Sequence, residues 1–213
     1  MLSAIRRLPR YIATPRNGKH RLFTWLPSQV IPDGQLVVVA RDDATMFGIL
    51  HSRFHELWAL GLCTWLGVGN DPRYTPSTTF ETFPFPDGLT PDQDATVYIT
   101  HSRALAIATA AQALVETRDR WLNPQELIEY IPEVVPGFPD RILPKDAAAA
   151  AILRTRTLTA LYNQRGKPEG AWLDALHLVL DEAVAAAYGW PADLPDADVL
   201  GRLLALSHAR TAV

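Results

Sequence analysis

His51 and His55 stand four residues apart, a spacing that puts two imidazoles on one face of a helix and could hold a metal ion. A zinc protease would need a glutamate base directly after the first histidine, and Ser52 stands there instead. The two histidines therefore read as polar residues flanking a helix whose apolar face is core. Metal-dependent nucleases carry a carboxylate two residues before a lysine. Asn17, Leu143 and Arg165 occupy that place before Lys19, Lys145 and Lys167, so the signature fails at each. Asp42-Asp43 has no spaced third carboxylate and reads as a helix cap. No Gly-x-Ser-x-Gly elbow or phosphate-binding loop occurs, and Gly67-Val68-Gly69 follows a predicted helix where a dinucleotide fingerprint follows a strand. Cys63, among Leu62, Trp65 and Leu66 with no neighbouring base, reads as a buried structural thiol. No complete catalytic constellation emerges.

Binding chemistry is better represented. Arg16, Lys19 and Arg21 lie on or beside short predicted strands with Tyr11 and His20 among them, and Arg41, Arg53, Arg73 and Tyr74 add donors and an aromatic. Arginine grips phosphate with two parallel hydrogen bonds or reads guanine in the major groove; lysine neutralises phosphate. Asp33, Asp42, Asp43, Glu56 and Asp71 are the carboxylates available to pair with them. The net charge of −3 conceals a division: residues 1–80 carry +4 and residues 81–213 carry −7. A basic front attracts phosphate, and an acidic back repels it. On charge alone, an unevenly charged solvated surface is the favoured reading.

These side chains need elements to place them. Residues 11–14, 21–25 and 35–40 are β-rich and are separated by turn signals, among them Pro32-Asp33-Gly34. Leu36-Val37-Val38-Val39-Ala40 lacks alternation, which predicts a strand covered on both faces. Asp42 or Asp43 then caps a single helix through Met46, Ile49, Leu50, Phe54, Leu57, Trp58 and Leu60, ending near Gly67–Asn70. Residues 70–91 read as loop. The back half predicts helices over 95–121, 146–162, 171–188 and 196–209, with a proline-spotted connector between the first two. The expected fold class is α+β: a short-stranded segment with a helix over 1–86, then a mostly helical bundle over 87–213.

Composition narrows the functional classes. Apolar residues make up 48% and charged residues 20% of the 213, enough for a real core and against wholesale disorder. No run of eighteen apolar residues predicts a membrane span, and the basic start lacks the apolar stretch of a secretory signal. A single cysteine excludes an internal disulfide framework and fits a reducing cytoplasm.

Longer motifs add a family. Tyr11-Ile12-Ala13-Thr14-Pro15-Arg16, Lys19-His20-Arg21-Leu22-Phe23 and Gly48-Ile49-Leu50-His51-Ser52-Arg53-Phe54-His55 are three of them. Asn70-Asp71-Pro72-Arg73-Tyr74-Thr75-Pro76 and Phe80-Glu81-Thr82-Phe83-Pro84-Phe85-Pro86 follow in order. Together they resemble the target recognition domain of MmeI-like DNA methyltransferases, the type IIG restriction–modification enzymes and their methylase-only relatives. Leu158-Thr159-Ala160-Leu161-Tyr162-Asn163, Ala187-Tyr188-Gly189-Trp190-Pro191 and Leu200-Gly201-Arg202-Leu203-Leu204 resemble the helical C-terminal region of the same family, so the likeness covers roughly residues 10–210.

The resemblance implies enzymes that transfer a methyl group from S-adenosylmethionine to the N6 amine of adenine in duplex DNA, with the target base flipped out of the stack. Their cofactor loop and Asn-Pro-Pro-Tyr/Phe motif have no match here; Asn123-Pro124-Gln125-Glu126 lacks the second proline and the aromatic. The expectation is a recognition piece without catalytic or cofactor-binding residues of its own. It would take double-stranded DNA and a separate methyltransferase catalytic domain or subunit as partners, as a truncated product, a separately encoded specificity half or part of a longer gene. Arg16, Lys19, Arg21, Arg41, Arg53, Arg73 and Tyr74 form the expected DNA-contact pool. The alternatives from another class are a small helical protein-interaction module and a decayed remnant.

Overall fold

The computed structural model describes residues 2–65 and 71–211, and its fold is α+β. A short helix α1 (Leu2–Ile5) leads into β1 (Arg10–Pro15), the central strand of an antiparallel sheet. On one side β1 pairs with β2 (Thr24–Pro27), Ile12 opposite Trp25; on the other it pairs with β3 (Leu36–Val39), Ile12 opposite Val39. Ile12, Val37 and Val39 face the main core, whereas Tyr11, Ala13, Leu26 and Val38 meet Ile5 in a small second cluster. β3 thus alternates after all. A run of valines hides the period because its outward members also find partial cover. β2 starts later than residues 21–25 predict, because the Phe23 N–H donates to His51 Nδ1 at 3.2 Å rather than to a strand.

Asp43 caps α2 (Ala44–His51), its carboxylate accepting from Met46 N at 2.8 Å. α2 is buried almost all round, at a close crossing with two later helices. A Cβ added at Gly48 would lie 2.6 Å from Ile107 and 3.1 Å from both Ala111 and Leu180. The single helix expected from Met46 to Leu60 is two: Ser52 is extended and α3 (Arg53–Leu62) starts afresh. The buried Asp181 carboxylate accepts the Arg53 N–H at 2.8 Å, supplying from far along the chain the cap that ends one helix and starts the next. α3 stops at Leu62; the predicted ending at 67–70 lies outside the described residues. Cys63, expected buried, is only half-buried at that helix end.

Beyond it come β4 (Thr64–Trp65), β5 (Pro72–Arg73), and two single-turn helices, α4 (Pro76–Thr79) and α5 (Ala95–Tyr98). The long helix α6 (Ser102–Leu122) follows a break at which His101 Nδ1 accepts from Ala104 N, so the predicted 95–121 helix is also split. The proline-spotted connector holds a hairpin, β6 (Ile128–Ile131) with β7 (Arg141–Pro144), which sequence patterning missed. The predicted 146–162 helix divides into α7 (Ala147–Leu153) and α8 (Leu158–Tyr162), the second capped by Thr157 Oγ1 accepting from Ala160 N at 3.1 Å. α9 (Ala171–Tyr188) and α10 (Asp196–Thr211) agree with prediction, and Gly189 closes α9 at φ 72°.

One hydrophobic core runs from Ile12 and Phe47 through Ile107 and Leu114 to Leu180 and Leu203. The expected segments 1–86 and 87–213 therefore share an interior. Arg118, fully buried on α6, donates to the Phe23 carbonyl at 3.2 Å and ties the two together. No helix among the described residues is long and apolar enough to cross a membrane.

Candidate nucleic-acid interface

Past Pro15, the β1 chain continues beside β5. Arg16 N donates to Gln35 O at 2.8 Å, Tyr74 N donates to Arg16 O at 2.7 Å, and Asn17 bridges Arg73. β5 pairs in turn with β4, Arg73 opposite Thr64 and Pro72 opposite Trp65. Three extended segments thus lie side by side. Residues directly opposite in an antiparallel pair project to the same face, so Asn17, Arg73 and Thr64 form one row. Asn17 and Thr64 are exposed and Arg73 is half-buried. The row offers an amide with donor and acceptor, a forked five-donor guanidinium and a hydroxyl, the side-chain types that read base edges in a groove. Arg16 and Lys19 flank it, Arg16 Nε donating to Gly34 O at 2.8 Å and Lys19 Nζ to Asn163 Oδ1 at 2.7 Å.

Arg21 and Tyr74, both expected among the DNA contacts, lie buried beneath this ladder. Arg21, 6% exposed, donates to Thr14 Oγ1 at 3.0 Å, to the Pro15 carbonyl and to Pro72 O at 3.1 Å, with its guanidinium 4.8 Å from the Tyr74 ring centroid. Burial lowers its pKa. It holds β5 against β1 from the inside. Tyr74, 1% exposed, donates to His55 Nε2 at 3.0 Å, and burial raises its pKa. Neither side chain has a surface to offer.

The remaining members of the expected pool separate. Arg41 binds Asp43 Oδ2 at 2.7 Å and the carbonyls of Pro91 and Gln93, and so fastens the exit of β3 to the loop after α4. Arg53 reaches Asp196 at 3.2 Å and the Leu194 carbonyl, joining α3 to α10. The fold brings Arg16, Lys19 and Arg73 to one ladder and leaves Arg41 and Arg53 elsewhere. Sequence reasoning missed Asn17 and Thr64, because only strand register sets them beside Arg73.

The histidine pair of the opening motif is interior. His51 Nδ1 accepts from Phe23 N, so its ring proton sits on Nε2 and donates to Tyr162 Oη at 2.8 Å; the Tyr162 hydroxyl then donates to His177 Nε2 at 3.0 Å. Burial, with Arg118 adding to it, holds His51 well below its ordinary pKa; burial takes His177 down to about 3. His55 donates through Nδ1 to Leu50 O at 3.0 Å and accepts the Tyr74 hydroxyl; burial takes it to about 3. His51 and His55 use both ring nitrogens and His177 its Nε2, and these neutral rings link α2 and α3 to the segment before β2, to Tyr74 and to the tail helices. Among the described residues no three His, Cys, Asp or Glu side chains gather as metal ligands.

Residues 13–87 match the family model of the MmeI target recognition domain. The fold is similar to that of a solved structure, the type IIL restriction–modification enzyme MmeI in complex with DNA, with a TM-score of 0.62 at 18% sequence identity. The match covers 96% of this chain and 22% of that one, so the chain spans about a fifth of that enzyme's length. No curated protein matches the chain.

Proposed function

We propose that this chain is a DNA sequence-recognition module of a restriction–modification enzyme, reading duplex DNA through the row Asn17, Arg73 and Thr64 with Arg16 and Lys19 on neighbouring phosphates. The match of residues 13–87 to the MmeI target recognition domain carries the reading. Supporting it, the ladder inside that span presents base-reading side-chain types in one row across its three extended segments. Methyl transfer from S-adenosylmethionine to adenine N6 would belong to the larger enzyme. The residues here do not fit that chemistry: Asn123 ends α6 with its N–H on Asp119 O at 2.8 Å, and Pro124-Gln125-Glu126 follows it. Catalysis is assigned to a separate domain or subunit.

Fluorescence anisotropy with duplex DNA across a salt series tests the proposal. Salt-dependent binding at micromolar protein is the expected result, and none at low salt would refute it. Arg73→Ala should relax preference at one base position, costing about 1–3 kcal/mol of discrimination there, whereas Lys19→Ala should weaken all sequences alike. Methyl transfer above background by this chain alone would refute the division of labour.

The β6–β7 hairpin favours a protein partner as well. Tyr130, Val134, Phe138 and Ile142 stand exposed on it beside Glu129 and Asp140, an apolar surface whose acidic surroundings repel phosphate. That face suits docking to the catalytic domain or subunit.

A further inference from the structure

The loop that follows Asn17 is fastened to the helical tail. Lys19 Nζ donates to Asn163 Oδ1 at 2.7 Å, and His20 Nε2 lies 3.0 Å from the same oxygen. Asn163 ends α8, and from it the chain turns through Gln164, Arg165, Gly166 and Lys167 towards α9. One carboxylate pins this turn: Asp174, on α9, accepts Arg165 Nε at 2.9 Å and the Gly166 N–H at 2.8 Å, with Gly166 at φ 74°. Asn163, Arg165 and Lys167 are exposed. Lys19 spends one of its three ammonium donors on Asn163, and Arg165 one of its five on Asp174, so both keep donors for an anion. The other carboxylates nearby are Glu169, two residues beyond Lys167, and Glu56, which faces Arg165 and His20 from α3 with its pKa pushed up by burial. Each strand of a duplex presents a phosphate per about 3.4 Å of axis, so cations strung beside a reading row meet successive phosphates. The turn lies outside residues 13–87, the span that matches the recognition-domain model.

We propose that the α8–α9 turn, residues 163–167, is a second strip of contact with the DNA backbone: Arg165 and Lys167 take phosphates beside the one bound by Lys19, and Asn163 is the positioning residue for Lys19. The inference rests on the DNA-recognition reading above and gives the helical tail a share of the binding surface. Cations on phosphate act through counterion release, so their contribution appears in the salt dependence. Asn163 carries no charge and acts through Lys19.

The experiment is an anisotropy series with the full chain and a fluorescein-labelled random-sequence duplex, from about 50 to about 200 mM salt. Lys167→Gln should flatten the slope of log affinity against log salt by about 0.9, so its deficit is about threefold larger at the low end than at the high end. Lys167→Arg should keep the wild-type slope. Lys145→Gln, which removes a charge from the acidic hairpin, should keep it too. Asn163→Ala should weaken binding in the wild-type background and change nothing in a Lys19→Ala background. A wild-type slope for Lys167→Gln, the same flattening in Lys145→Gln, or equal losses from Asn163→Ala in both backgrounds overturns the inference and leaves the recognition reading intact. Absence of any salt-dependent binding by the wild-type chain sinks that reading and this inference with it. If Asn163→Ala fails to give a wild-type urea midpoint, Asn163→Ser takes its place with the same criteria.

Discussion

Replacing Asp181 by asparagine should stabilise the protein at pH 8 and leave it unchanged at pH 4. Asp181 lies on α9, 8% exposed, and its Oδ1 accepts the Arg53 N–H. The Arg53 guanidinium turns away to Asp196, so the carboxylate is buried without a paired cation. Burial raises its pKa from 3.8 to about 7, against the smaller opposing effect of the Arg53 N–H bond. In the unfolded chain the group releases its proton near 3.8, while the native protein retains it to about 7. Between those values the native state binds more protons, so this group's contribution to stability falls as pH rises. At about 1.4 kcal/mol per pH unit, the full loss reaches about 4 kcal/mol above pH 7.

A carboxamide mimics the neutral acid, with one oxygen for the Arg53 N–H and one group able to donate. The stability gap between Asp181→Asn and wild type should therefore open from near zero at pH 4 to about 4 kcal/mol at pH 8, in favour of asparagine. Urea denaturation followed by tryptophan emission at several pH values measures it. Taking the difference is essential, because His51, His55 and His177 have native pKa values below their unfolded ones and oppose the trend, losing stability as pH falls through 6.5. A gap that stays flat, or an asparagine variant less stable at pH 8, would refute the reasoning.

Gly48→Val should cost about 1–3 kcal/mol in urea denaturation, since even its Cβ meets Ile107 at 2.6 Å where α2 crosses α6 and α9. Tyr162→Phe should destabilise by about 1–3 kcal/mol, because the variant strips partners from His51 Nε2 and His177 Nε2 together; an unchanged urea midpoint would deny the network a structural part. Arg21→Met should lower the urea midpoint and weaken duplex binding at once, whereas Arg73→Ala should weaken binding while the midpoint stays put. Finding Arg21→Met stable but deficient only in binding would return Arg21 to the contact pool.

The helices that ended on local signals were legible from sequence. α9 runs from residue 171 to 188 as its leucine stripe and Gly189 predict, and α10 follows Pro195 as expected. Where boundaries depend on distant partners, periodicity was silent. Nothing near Ser52 announces that Asp181, well over a hundred residues on, will cap Arg53 and divide the helix. The hairpin was obscured by its own prolines, because Pro132, Pro136 and Pro139 fall in its loop and leave two four-residue strands too short to show a pattern. At the ladder, charge singled out Arg16, Lys19 and Arg73. It singled out Arg21 equally well, since a lone arginine carries the same letter in solvent and under a tyrosine ring. Asn17 and Thr64 acquire meaning only once register sets them either side of Arg73.

Arg21 grips the ladder by the Pro15 and Pro72 carbonyls and the Thr14 hydroxyl, none of which belongs to the outward row. Position and identity are thereby uncoupled. The register rests on contacts that residues 17, 64 and 73 do not supply, so exchanges in the outward row cost the scaffold little. If that row reads DNA as proposed, single surface replacements would change the target sequence while every intermediate still folds.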